Sequence, residues 1–336
     1  MSDTAHLPPP TQPNKPIGLL TLSVHTLLFV ATFISVTIGY VLFTVPLPGI
    51  ETMSGAITAI LTTPDYLKVG LPFSGSLLAI LLAHEMGHYL TARHLGVDQS
   101  LPYFIPAPGT FFGTFGAIIV MRQMPRTRSS LLRVAVMGPY AGLLLAIPFT
   151  AWGLAHSTVI APELIDGPGP HISFGSSILV SWLEALFSPH GPDVMIEPHP
   201  VGLAGWVGLL VTALNLIPAG QLDGGHTIYA LMGRHHHRVS RAIALALVAM
   251  GIYWFDEGGL MWVLWAALLG AFGLKHPPVA YPYLPLSRGE KVAGWLALII
   301  FVLTFIPQPI RIEGGTDEPE PAAPHHQPQI PEEFEL

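Results

Sequence analysis

The stretch LPFSGSLLAILLAHEMGHYLTARHL, residues 71–95, decides how this chain folds. It is apolar and long enough for a helix to cross roughly 30 Å of hydrocarbon. Yet His84, Glu85 and His88 sit inside it. Ionisable groups at that depth are costly, and they persist where they face a protein interior or a cavity and serve a site. The stretch therefore predicts a membrane span with chemistry built into it.

Working outward, the rest of the chain has the same character. Of 336 residues, 51% are hydrophobic and 10% charged, and the mean hydropathy is +0.54, which excludes a water-soluble globule. Gly18–Phe43 (26 residues) and Pro200–Leu216 (17 residues) carry no charge at all. Together with Leu71–Leu95, Leu131–Ala155, Val239–Phe255, Gly258–Leu274 and Val292–Ile306 they make seven expected spans. An eighth apolar stretch, Ile172–Phe187, follows Gly167-Pro168-Gly169-Pro170 and is interrupted by Glu184, so it is expected to dip or lie at the interface. The fold class is thus an all-α polytopic membrane protein of about seven transmembrane helices. Residues 1–17 read as a polar tail, 18–306 as the membrane domain, and 307–336 as a disordered acidic, Pro-rich tail.

Charge placement supports this count, because Lys and Arg accumulate in short cytoplasmic loops. With a cytoplasmic N-terminus and seven spans, Lys15, Arg93, Arg122, Arg126, Arg128, Arg133, Arg234, Arg238, Arg241, Lys275, Arg288 and Lys291 face inside, and only Lys68 and Arg311 outside. The expected location is a cell membrane, multi-pass, with the C-terminal tail outside. The net charge of −7 is set largely by that tail and by acidic loops; no basic stripe is present, so nucleic acid is not an expected partner. Zero cysteines exclude disulfides, thiol nucleophiles and thiolate ligands, leaving His, Asp and Glu for any metal.

On a helix, residues i and i+4 share a face, so His84 and His88 can hold one Zn²⁺ with Glu85 beside them to take a proton from water. Chance would produce this pentapeptide about 0.03 times per chain of this composition. The bland alternative is polar side chains pairing inside a bundle. A catalytic zinc takes three protein ligands, so a third must come from elsewhere. Asp223 is the candidate, in Asn215-Leu216-Ile217-Pro218-Ala219-Gly220-Gln221-Leu222-Asp223-Gly224-Gly225, where Pro218 and Gly220 break the helix. A loop turning at the membrane surface with one solvated Asp is the other reading of that segment. Seven-span topology returns Asp223 to the inner half of the membrane, the depth of His84 and His88, provided that Ile172–Phe187 does not cross.

His84-Glu85-x-x-His88 followed by Asn215-x-x-Pro218-x4-Asp223-Gly224-Gly225 resembles the site-2 protease (M50) family of intramembrane zinc metalloproteases. The resemblance covers roughly Leu71–Gly225, and Gly138-Pro139 also fits it. It implies His84, His88 and Asp223 as ligands of one zinc per chain, Glu85 as catalytic base, and Asn215 as a polar group binding the substrate carbonyl or its oxyanion. It further implies single-span membrane proteins as substrates, in the manner of anti-sigma factors, with the lipid bilayer as surroundings. Leu101-Pro102-Tyr103-Phe104-Ile105-Pro106 and Phe112–Arg122 look most like the branch of this family that lacks a PDZ domain.

Within Phe112–Arg122, strand-prone residues and Gly113 and Gly116 predict a short re-entrant β element near the zinc. Helical peptide bonds are shielded, so a protease acting on membrane spans needs extended substrate, which an edge strand can hold; an ordinary packed re-entrant loop is the competing reading. His235-His236-His237 is expected as a solvated or lipid-facing loop, and His226 as an outer support of the site. A membrane metal-ion transporter with an intramembrane His/Asp site is the rival function; it has no need of Glu85 or the Asn215 motif. A prenyl protease with the same first motif would call for a downstream Glu ligand where this chain has Asp223.

Overall fold

The computed structural model describes residues 18–50, 52–159, 171–190 and 196–313. Three helices are long and apolar enough to cross a membrane by length and composition: α1 (Leu19–Thr44), α3 (Pro64–His94) and α4 (Arg128–Ala155). With 26, 31 and 28 residues, they run about 39, 46 and 42 Å at 1.5 Å per residue. The start of α3 is fixed by Pro64 in its first turn with Asp65 beside it, and that of α4 by a reciprocal cap between Thr127 and Ser130. Helices also stand at the other expected positions: α6 (Pro200–Asn215), α8 (His236–Tyr253), α9 (Leu260–Phe272) and α10 (Arg288–Thr304). These have 13 to 18 residues, so length and composition single out three spanning helices where seven were expected.

The eighth stretch contains α5 (Ile178–Phe187), about 15 Å long and half of what a hydrocarbon core requires. Two short helices were not foreseen, α2 (Met53–Thr62) and α7 (Asp223–Met232). The expected C-terminal tail begins within the described structure: β6 (Ile310–Glu313) pairs antiparallel with β4 (His171–Phe174). Residues 1–17 and 314–336, on which the remaining tail expectations fall, lie outside the described residues. A further pair, β3 (Thr158–Val159) with β5 (Ile196–Glu197), closes the segment between α4 and α6.

The principal core lies where α3, α4 and α6 meet, with Phe73, Leu77, Ile80 and Leu81 packed among Leu143, Ala146, Leu203, Trp206 and Leu209. Small residues allow the backbones to approach closely. A Cβ on Gly153 would fall 2.0 Å from the Cα of Gly202, and one on Gly87 2.3 Å from the carbonyl oxygen of Met137. Against α1 leans a hairpin, β1 (Tyr103–Pro106) and β2 (Thr114–Ile118), in the register Tyr103↔Ile118 and Phe104↔Ala117. It is docked by Ser35 Oγ donating to the Gly113 carbonyl at 2.7 Å and by His25 Nδ1 lying 2.8 Å from the Pro102 carbonyl. The expected β element is therefore present, shorter than Phe112–Arg122, and prolonged by a bridge between Gln99 and Met121.

Candidate metal centre and its cavity

His84 and His88, one turn apart on α3, turn their rings toward α4 and α7. His88 Nδ1 is 2.7 Å from the Val134 carbonyl. A carbonyl only accepts, so Nδ1 carries the hydrogen and a neutral His88 keeps a lone pair on Nε2. Asp223 is brought there by the broken chain after α6. Gly220 adopts φ +59°, a conformation open to glycine at little cost. The first turn of α7 then folds back onto that backbone so tightly that a Cβ on Gly224 would sit 2.0 Å from the Leu216 carbonyl oxygen, and one on Gly225 2.5 Å from that of Ala219. Both glycines of Asp223-Gly224-Gly225 are thus required by packing.

The turn is held from the α8 side. His236 Nε2 lies 3.1 Å from the Gly220 carbonyl, and Ser240 Oγ accepts the Gly220 N–H at 3.2 Å. His236 is 2% exposed, which corrects the expectation of a solvated His235–His237 loop: one of the three histidines is a buried clamp on the ligand-bearing turn, while His235 is exposed. Its spacing of four from Ser240 was the available sign; the contact with Gly220 is long-range and had none.

The donor atoms converge. His84 Nε2 and His88 Nε2 are 3.2 Å apart, and Asp223 Oδ2 is 3.3 Å from the first and 3.2 Å from the second. Ligand atoms about 2.0–2.1 Å from a tetrahedral zinc stand about 3.3 Å from one another, so the triangle fits the ion. Among the described residues this is the group of His, Asp and Glu side chains whose donor atoms gather closely enough to hold a metal. Lone pairs and a carboxylate this close repel unless a cation or proton lies among them. Asn215, the last residue of α6, brings its Nδ2 to 3.4 Å from His84 Nε2. Glu85, 8% exposed, lines the same cavity of about 220 Å³ as Asn215 and the three donors.

One wall of that cavity is the hairpin: Ala117, Ile118, Ile119 and Met121 border it, so the end of β2 lies against the candidate metal centre. Gln99, Gln221 and His226 line it as well. Gln99 is 8% exposed and its Nε2 has no hydrogen-bond partner among the described residues. Sequence reading passed over Gln99; its neighbour in the cavity is fixed by the bridge to Met121, a pairing that local pattern does not reveal. A larger cavity, about 290 Å³, between Trp254–Trp262 and Pro307–Ile310 shares none of these residues.

A family model described as Peptidase family M50 matches residues 72–255, which span the hairpin, all three donors and Glu85. Probable zinc metalloprotease EGY1, chloroplastic, of Arabidopsis thaliana is 32% identical over 256 residues, covering 72% of this chain and 44% of that protein. Probable zinc metalloprotease EGY2, chloroplastic, of Oryza sativa subsp. japonica is 31% identical over 87% of this chain and 52% of its own length. Putative zinc metalloprotease Rip3 of Mycobacterium tuberculosis (strain ATCC 25618 / H37Rv) is 28% identical over 58% of this chain and 42% of its own. The chain thus spans about half the length of the curated relatives it matches. No solved structure matches it.

Proposed function

The chain belongs to peptidase family M50, and from that premise we propose that it is an intramembrane zinc metalloprotease, hydrolysing peptide bonds in or near the transmembrane segments of membrane-anchored, single-span substrates. The observation that carries this reading is the meeting of His84, His88 and Asp223 at mutual distances of 3.2–3.3 Å, with His88 and Asp223 135 residues apart in sequence, in one cavity with Glu85.

His84, His88 and Asp223 hold the zinc. When bound, the ion supplies Lewis acidity that polarises a carbonyl and lowers the pKa of water. Glu85 accepts a proton from the attacking water and returns it to the leaving amine. Asn215 donates from its amide to the substrate carbonyl oxygen, where negative charge develops. The exposed edge of β2 holds the unwound substrate as an added strand, so that recognition runs mainly through the main chain. Seven spans, a cytoplasmic N-terminus and an inward-facing site complete the topology, supported by the twelve-to-two distribution of Lys and Arg. Transport of a metal ion leaves Glu85, Asn215 and the strand without a role.

The test is cleavage of a single-span substrate by purified protein in proteoliposomes, wild type against Glu85→Ala. Cleavage by wild type alone supports the reading, whereas equal cleavage by both overturns it.

A further inference from the structure

His226 stands three residues beyond Asp223 on α7, on the face that lines the cavity. Its Nδ1 is 2.7 Å from His276 Nε2, and His276 Nδ1 is 2.6 Å from the Pro277 carbonyl. The Pro277 carbonyl sets the direction of both bonds. Pro277 O only accepts, so His276 Nδ1 bears the hydrogen; burial also pushes the His276 imidazole below the ordinary histidine range, which keeps it neutral. Neutral His276 then has a lone pair on Nε2, and His226 must donate to it through Nδ1–H. That leaves the lone pair of His226 on Nε2, on the side of the ring away from His276. The segment carrying His276 is itself pinned to α7: Tyr229 stacks on the His276 ring at 4.0 Å between centroids and an angle of 11°, and Tyr229 Oη accepts the Val279 N–H at 3.1 Å.

We propose that His226 binds substrate in the cavity by accepting a hydrogen bond from a main-chain N–H at Nε2, with His276 as the positioning residue that fixes this tautomer. A peptide unit offers one acceptor and one donor. Asn215 supplies a donor beside His84 for the carbonyl, and His226, which lines the same cavity, supplies an acceptor for the N–H, so that the pair recognises a peptide backbone irrespective of side chain. The inference deepens the proteolytic reading and rests on it. His226 is not counted among the zinc ligands, because its ring nitrogens are not among the atoms that gather at the metal centre.

The experiment measures kcat/KM on a single-span model substrate, zinc content and thermal stability for wild type, His226→Leu, His226→Gln, His276→Ala and the double variant His226→Gln/His276→Ala. Leucine removes the acceptor and leaves the N–H unpaired, for an expected loss of about ten- to a hundredfold in kcat/KM with zinc content unchanged. Glutamine places an amide oxygen near the position of Nε2 and restores most of it. His276→Ala lowers activity in the wild-type background and has no further effect in the His226→Gln background, where no tautomer needs fixing. A merely structural role would move stability equally in both backgrounds. Nitrogen-15 spectra of histidine-labelled protein, with the His226 signal identified by its loss in His226→Gln, should show Nδ1 protonated and Nε2 bare. Wild-type cleavage by His226→Leu, equal loss in the Leu and Gln variants, or an Nε2–H tautomer overturns the inference while leaving the protease reading standing. A wild-type chain that cleaves nothing while Glu85→Ala behaves identically overturns both.

Discussion

Gly138→Ala tests the metal centre from the helix that does not ligate. A Cβ at Gly138 would lie 2.0 Å from His88 Nε2 and 2.4 Å from Cδ2 and Cε1, on top of the imidazole. Carrying that contact out to the 3.4 Å of ordinary packing takes about 1.4 Å of travel, against a tolerance of about 0.2 Å in a zinc–ligand distance. The ring cannot simply swing aside, because its Nδ1–H is tied to the Val134 carbonyl at 2.7 Å. Either the ligand leaves the site or α4 separates from α3, and overpacking of that kind costs about 1–3 kcal/mol. Gly142→Ala is the graded control: its Cβ would meet His84 Cβ and Nδ1 at 3.3 Å, which a few tenths of an ångström relieve. Gly75→Ala, with nothing within 4 Å, controls for helix propensity and should be neutral or stabilising by up to about 1 kcal/mol. Zinc per chain, by mass spectrometry of the purified proteins, should fall below half for Gly138→Ala, stay near one for Gly75→Ala, and lie near wild type for Gly142→Ala, with cleavage following zinc. A Gly138→Ala protein with wild-type zinc content and melting temperature refutes this account of the α3–α4 contact.

Other consequences can be checked alongside. Removing zinc with a chelator should abolish cleavage, re-adding it should restore cleavage, and His84→Ala, His88→Ala and Asp223→Ala should each lose most of the metal. Ile119→Pro should cut cleavage of a transmembrane substrate at least tenfold with zinc retained, while Ile119→Ala does little, since proline lacks the N–H a substrate strand would use; Ile118 is the less clean site because it already pairs with Tyr103. Glu290, in the first turn of α10, is raised by burial but more strongly lowered by hydrogen bonds from Ser129 and Ser287 and by Arg133 at 3.2 Å, leaving its pKa below the ordinary range. A depressed carboxylate stabilises fully above its unfolded pKa, near 4.3, and the contribution disappears as pH falls through the folded value. With Arg133 55% exposed the effect is about 1 kcal/mol, so the melting-temperature gap between wild type and Glu290→Gln should be present at pH 7 and close below about pH 4.

The parts of the site that were legible in the sequence are those written in local chemistry. His84, Glu85 and His88 are set by helical period, and Asp223 by the helix-breaking Pro218 and Gly220, and the structure brings the two histidines and Asp223 together. The β element near them was readable from glycine spacing and strand-prone residues, although its true partner, β1, required tertiary contact with α1. What escaped is long-range or overridden by packing. The start of a helix at Asp223 has no local sign; Gly224 and Gly225 allow α7 to begin there because no side chain blocks the preceding backbone. His236 looks solvated beside Arg234 and Arg238, yet helix period turns it alone of its run toward Gly220. Ile310-Arg311-Ile312-Glu313 alternates apolar and charged residues over only four positions beside an acidic, Pro-rich run, and it becomes β6 by pairing with β4.

Whether these residues form a zinc-dependent proteolytic site is decided by comparing wild type with Glu85→Ala, each reconstituted with the same single-span substrate. Zinc and cleavage products are quantified in each sample. Close to one zinc per chain is expected in both, with products from wild type alone. Cleavage by the Glu85→Ala protein at the wild-type rate would contradict this assignment.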